Sequence, residues 1–220
     1  MKKISLFVLA VGSSLAIFAQ NVSKMAVKPR FGIKAGVNLA EFNTKGFPSG
    51  YDPTTNMKTS MHGGFFVNIP VGTGGLAVQP ELLYSGQGSK MTVKSTVGSS
   101  TITSTYEQDL SYINLPVMIQ YKTPGGFYVE TGPQAGIVVR AQQDGPGSTT
   151  TDNKDDFDKF DFAWGGGIGY LSRIGLAVGA RYNWGLRNIM DDTNNSSNSD
   201  MKIKNSVVNI GLAWHFGAGK

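Results

Sequence analysis

Residues 30–40 read R-F-G-I-K-A-G-V-N-L-A, so that Phe31, Ile33, Ala35, Val37 and Leu39 alternate with Gly32, Lys34, Gly36 and Asn38. A period of two sends these two sets to opposite faces of a β-strand. One face is wholly apolar, whereas the other is made of glycine, a lysine and an asparagine. That second face is a poor lining for a soluble core and a good one for a narrow, wet lumen, with the apolar face turned to lipid. Residues 30–40 therefore constrain the whole chain toward the first strand of a transmembrane β-barrel.

The same alternation recurs seven times. In residues 60–71, Met61, Phe65, Val67 and Ile69 alternate with His62, Phe66 and Asn68. In residues 76–87, Leu76, Val78, Pro80, Leu82 and Tyr84 oppose Ala77, Gln79, Glu81, Leu83, Ser85 and Gln87. Pro80 lacks a ladder donor, which predicts a bulge or a weak point there. Ile113, Leu115, Val117, Ile119 and Tyr121 form the apolar face of a fourth strand, over Asn114, Pro116, Met118 and Gln120. A fifth strand, residues 127–140, carries Phe127, Val129, Ile137 and Val139 on one face and Glu130, Gly132, Gln134, Gly136 and Arg140 on the other. Residues 160–170, 176–186 and 208–216 supply the remaining three.

Connections between these runs alternate in length. They are long around 41–59, 95–105, 143–157 and 188–204, and short at 72–75, 122–126 and 172–175. Four long and three short links join eight strands, which predicts an all-β, eight-stranded antiparallel up-and-down transmembrane barrel. In bacterial outer-membrane barrels the short turns face the periplasm and the long loops face outward. The segment 191–200 (D-D-T-N-N-S-S-N-S-D) has the composition of a solvated, mobile loop.

Composition agrees with this reading. Glycine supplies 29 of 220 residues, above its usual share of roughly 7%, and so many glycines disfavour long helices. Cysteine is absent, which excludes a disulfide framework and thiolate chemistry. Met1, Lys2 and Lys3 followed by the apolar residues 4–18 read as a cleavable signal peptide over 1–19. A short periplasmic leader is expected over 20–29 and the barrel domain over 30–220. Loss of Lys2 and Lys3 with the signal lowers the formal charge from +5 to +3, too small a surplus to mark a nucleic-acid binder.

Alternation alone would also fit a soluble lipocalin-like barrel with its apolar face inward. Two features favour lipid. Phe127, Phe162, Trp164, Tyr170, Trp184, Trp214 and Phe216 cluster toward strand ends, as interfacial aromatic girdles do. The opposite face carries Lys34, Glu81, Glu130, Arg140, Asp161, Arg181 and Arg187, and charges of both signs can pair within a lumen but not toward hydrocarbon. Counting up from the short turns puts Lys34, Glu81, Glu130 and Arg181 in one layer, so these four residues are expected to form an interior charged network.

Several motifs of this sequence resemble a known family: F-A-Q at 18–20, G-I-K-A-G-V-N at 32–38, Q-P-E-L-L-Y-S at 79–85, Y-I-N-L-P-V at 112–117 and G-P-Q-A-G at 132–136. Together, in this order, they look like the PorT-like outer-membrane β-barrel family of the Bacteroidetes. The resemblance implies an eight-stranded barrel in the cell envelope. A role in protein secretion, held by founding members, does not follow from fold.

The search for catalysis returns little. His62 and His215 are the only histidines, and counting along the strands puts them near opposite ends of the barrel, too far apart to share a metal or a proton relay. Asp152, Asp155, Asp156 and Asp158 lack the glycine and terminal glutamate of a calcium loop. The glycines of 165–169 precede no helix, which excludes a phosphate loop. The sequence thus points to no enzyme, no cofactor and no metal. The expected role is structural or binding, as a monomer in outer-membrane lipid, with four loops meeting an extracellular ligand. A small-solute pore or a transport- or secretion-associated barrel is the alternative. Because the apolar band closes only in the folded barrel, the mature protein should need detergent and should migrate differently on SDS gels before and after boiling. A chain that stays folded and monomeric in plain buffer would overturn the membrane reading.

Overall fold

The computed structural model describes residues 28–45, 54–97, 100–145, 150–152, 158–189 and 202–217. The signal peptide expected at 1–19, most of the leader, Asp155, Asp156 and the loop 191–200 lie outside the described residues. Nine strands form: β1 (Arg30–Lys45), β2 (Thr54–Val71), β3 (Leu76–Val97), β4 (Ser100–Lys122), β5 (Phe127–Asp144), β6 (Thr150–Asp152), β7 (Phe160–Leu171), β8 (Leu176–Gly185) and β9 (Lys202–His215). Every pairing is antiparallel. β1 to β5 pair in sequence order, β5 pairs β7, β7 pairs β8, β8 pairs β9 and β9 pairs β1, so eight strands close into a barrel while β6 is a short addition on the upper part of β5. Closure leaves no sheet edge in the wall, the condition for burying backbone polar groups in lipid.

Adjacent residues show which face is which: Phe65 is 66% exposed and Phe66 is 2% exposed. Ile33, Leu82, Val117, Ile119, Val129, Ile168, Val178 and Leu212 are exposed with Phe65, whereas Asn38, Gln79, Glu81, Asn114, Gln120 and Arg181 are buried with Phe66. The barrel is thus apolar outside and polar within. Aromatic residues lie toward both ends of the outer face: Phe127 packs edge-on against Tyr170 near the short turns, and Tyr182 against Trp184 near the other end. Trp164 Nε1 donates to Thr131 Oγ1 at 2.9 Å, so its N–H is satisfied on the lipid face.

The short turns fall at 72–75, 123–126 and 172–175, with Gly72, Gly75, Gly126 and Gly175 at positive φ. The long connections differ from expectation. Of the residues expected as a loop at 95–105, 95–97 and 100–105 instead belong to a β3–β4 hairpin of 22 and 23 residues, whose ladder runs to Val97↔Ser100. Likewise 41–45 belongs to β1, 54–59 to β2 and 202–204 to β9. Serine and threonine made 95–105 look like a loop, but they also suit a solvated two-stranded ribbon.

Two irregularities shape the wall. At Pro80 the register with β2 is unbroken, but the pairs expected for Pro80 and Gln79 are missing from the ladder, a gap and not a bulge, as a lost N–H donor requires. A register shift does occur between Met57 and His62 of β2, opposite Gly88 of β3. Gly88 adopts φ +129°, and a Cβ there would lie 1.9 Å from the Gln108 carbonyl oxygen. Only glycine meets both conditions. Gly88→Ala should therefore destabilise the folded barrel by about 1–3 kcal/mol, measured by urea unfolding in detergent or lipid. An unchanged midpoint would show that this irregularity is not needed.

Candidate functional site

Period-two geometry sends Lys34 of β1, Glu81 of β3, Glu130 of β5 and Arg181 of β8 into the lumen, and the register between strands then decides whether their tips meet. Glu130 and Arg181 both pair across Gly167 of β7, at one level of the wall. A Cβ on Gly167 would sit 3.1 Å from Glu130 Oε1 and 2.7 Å from the Ala180 carbonyl oxygen, so the glycine leaves room for the two charged side chains to approach. Arg181 Nε donates to Glu130 Oε1 at 2.7 Å, while its Nη1 and Nη2 donate to Glu81 Oε2 and Oε1 at 3.0 and 2.8 Å. Lys34 Nζ donates to Glu81 Oε1 at 2.9 Å. The structure thus brings all four side chains together, and the planar guanidinium serves both carboxylates at once.

Amides extend this cluster into a ring. Gln79 Nε2 donates to Glu81 Oε1 at 2.9 Å, and Gln120 Nε2 to Glu130 Oε2 at 2.7 Å. Asn68 Nδ2 then donates to both Gln79 Oε1 and Gln120 Oε1, at 3.0 and 2.9 Å. Asn68, Gln79, Glu81, Arg181, Glu130 and Gln120, from β2, β3, β8, β5 and β4, therefore close a hydrogen-bonded circuit across the lumen. Sequence reasoning missed Asn68, Gln79 and Gln120, because an inward amide is generic barrel lining until its partner on another strand is known.

Above the ring, toward the long connections, lies a second polar layer. Asn38 Nδ2 donates to Ser85 Oγ at 3.0 Å and to the Gly86 carbonyl at 2.6 Å. Its Oδ1 accepts from Asn209 Nδ2 at 2.5 Å, and His62 Nδ1, 2.6 Å away, must then carry its proton toward that same oxygen. Asn183 Nδ2 donates to Asn209 Oδ1 at 2.5 Å, and Asn205 Nδ2 donates to Gln87 Oε1. From the level of the Asn205–Gln87 pair upward, Phe42, Leu110, Tyr112, Val138, Ala141, Ile189 and Ile203 form an apolar cluster within the barrel's upper end. Ile189 is tied there by its N–H to the Ile203 carbonyl at 2.9 Å, and its carbonyl accepts from the Asp158 N–H at 2.9 Å. Asp161 is inward and buried, and its Oδ1 has no hydrogen-bond partner.

Three placements need correction. Arg140, expected inward, is exposed and donates to Gln142 Oε1 at 2.5 Å. The register with β4 shifts by one residue between Ser111 and Tyr112, so Val139 and Arg140 both face outward and Ala141 takes the inward position. Arg187, also expected inward, lies past the end of β8, exposed and paired with Asp158. His62 is not at the outer end of its strand: it pairs with Gly36, and His215 with Gly32, only four residues away along β1, or about 13 Å. The strand carrying His62 begins at Thr54 rather than at 60, which moves it to mid-depth. Among the described residues no group of three or more His, Cys, Asp or Glu side chains could hold a metal ion.

Residues 18–191 match a protein-family model described as the outer membrane protein β-barrel domain. Among solved structures the chain is similar to Ail, the attachment invasion locus protein of Yersinia pestis, in complex with the heparin analogue sucrose octasulfate. That likeness has 12% identity over 86% of this chain and 99% of the other, with a TM-score of 0.45. It is similar also to Neisserial surface protein A, at 12% identity over 84% of this chain and 97% of the other, with a TM-score of 0.47. No curated protein matches the chain.

Removing Glu81 leaves Lys34 without its acid and Arg181 with one carboxylate, whereas removing Glu130 leaves Arg181 held by Glu81 alone. Glu81→Ala should cost about 3–5 kcal/mol and Glu130→Ala less, against a near-silent Arg173→Ala in an exposed turn. Thermal unfolding in a fixed detergent checks the difference, and equal midpoints for all three variants would mean that the ion pairs are energetically idle.

Proposed function

Because the chain belongs to the outer membrane protein β-barrel domain family and is an integral protein of the bacterial outer membrane, we propose that it is a closed, non-conducting barrel with a structural or binding role. The observation that carries this reading is the circuit of Asn68, Gln79, Glu81, Arg181, Glu130 and Gln120, which occupies the lumen from wall to wall. The cluster of Phe42, Leu110, Tyr112, Ile189 and Ile203 supports it from above, since these buried side chains take up further space in the lumen. An eight-stranded wall leaves an interior just wide enough for side chains to fill.

Contact with partners then falls to the end from which the β3–β4 ribbon rises, the extracellular end in barrels whose short turns are periplasmic. The protein acts as a monomer, without cofactor or catalysis, after loss of the 1–19 signal. Its G-I-K-A-G-V-N, Q-P-E-L-L-Y-S and Y-I-N-L-P-V motifs support a place within the PorT-like branch.

Single-channel recording tests the closed barrel. Purified folded protein in a planar bilayer should give no stable openings of large conductance, and openings of that kind would replace this reading with the pore.

A further inference from the structure

Below the charged ring the barrel opens at its short turns into a cavity of about 540 Å³. That volume falls within the range of small-molecule sites, roughly 300–1,000 Å³. Its walls hold Arg30, the first residue of β1, Lys122, the last of β4, and His215, the last of β9, and no acidic residue. Three strands therefore bring basic side chains to one place by ending there.

Other cations of the lumen are matched: Arg181 and Lys34 by Glu81 and Glu130, and Lys58 by Glu107 and Asp109. Arg30 and Lys122 have no ion-pair partner among the described residues, and the two acids nearest above them are already engaged by the two bases of the ring. His215 is only 6% exposed, lines the same cavity, and has a buried Nδ1 with no hydrogen-bond partner. Its ring is held edge-on to Phe66, with centroids 4.7 Å apart. Two cations without an ion-pair partner and a histidine ring, lining a space large enough for a ligand and free of acids, make an environment that favours an anion.

We propose that this cavity binds a small anionic group, a phosphate or carboxylate on a short organic molecule, entering from the periplasmic side. Arg30 offers a two-pronged donor fork, Lys122 a point charge and His215 a ring nitrogen at the inner end. Asn68, Gln120 and Tyr128 close the cavity above, so the anion is held and not passed through the ring. Phosphate could come from a soluble ester or from the headgroup of an inner-leaflet phospholipid, and the chemistry of capture is the same.

Histidine-selective NMR on the folded protein in maltoside micelles reads the site directly, since the chain has two histidines and His62 lies above the ring as an internal reference. Inorganic phosphate and glycerol 1-phosphate are titrated in one arm, and phosphatidylglycerol is added to the micelles in the other. A shift of the His215 ring signals with His62 unmoved is the expected result. Response to the soluble probes assigns a soluble ligand, and response to phosphatidylglycerol alone assigns a lipid headgroup; both support the site. Arg30→Gln or Lys122→Gln should each weaken phosphate binding about tenfold while heat-modifiable migration is kept. If a variant does not fold, the wild-type protein decides with glycerol, which must move neither histidine. No His215 shift with any anion, or equal affinity in the folded variants, would overturn the proposal.

Discussion

Arg181 is the cation around which the interior is arranged. A guanidinium within a narrow barrel is costly to desolvate, and the cost is met only because two carboxylates on β3 and β5 reach it in hydrogen-bonding geometry. Each carboxylate is in turn held by an amide, and the two amides share Asn68. Five strands are cross-linked in this way by side chains, independently of the backbone ladder. A one-residue slip of any of them would turn its ring member toward lipid, so the polar circuit penalises wrong registers far more than the apolar outer face can.

The layers above follow from the same requirement. Amides of β1, β8 and β9 are hydrogen-bonded in series at mid-depth, where Asn38, Asn209 and Asn183 meet. Toward the upper end the interior gains Leu110, Ile203 and their neighbours, packed at the level of Asn205 and Gln87 and beside a buried Tyr112 hydroxyl without a hydrogen-bond partner. The shift at Val139 makes that change possible on β5: it turns Arg140 out and Ala141 in at the height where the lining becomes apolar. Amide and hydrocarbon thus share the interior above the charged ring.

Much of this was readable from the chain, and the misses have physical causes. Period-two alternation carries the outer face, since Phe65 and Phe66 cannot both point the same way in a strand. It also carries the shared inward face of Lys34, Glu81, Glu130 and Arg181. It does not carry pairings between strands, so Asn68, Gln79 and Gln120 were indistinguishable from ordinary lining. Alternation fails wherever an extra residue enters a strand, as at Val139, and every position beyond then changes face. Composition misled at 95–105, where serine and threonine suit either a loop or a wet ribbon, and an over-late start for β2 put His62 too high.

The β3–β4 ribbon, with its continuous ladder from the wall to Val97↔Ser100, bears on how this surface meets anything above it. From Gln87 to Val97 it climbs ten residues, on the order of 30 Å of strand. At its root Gly88, at positive φ, lies opposite the register shift of β2 between Met57 and His62. A backbone whose hydrogen bonds are already made along the ladder to Val97↔Ser100 has less freedom left to lose on contact than an unpaired loop of the same length.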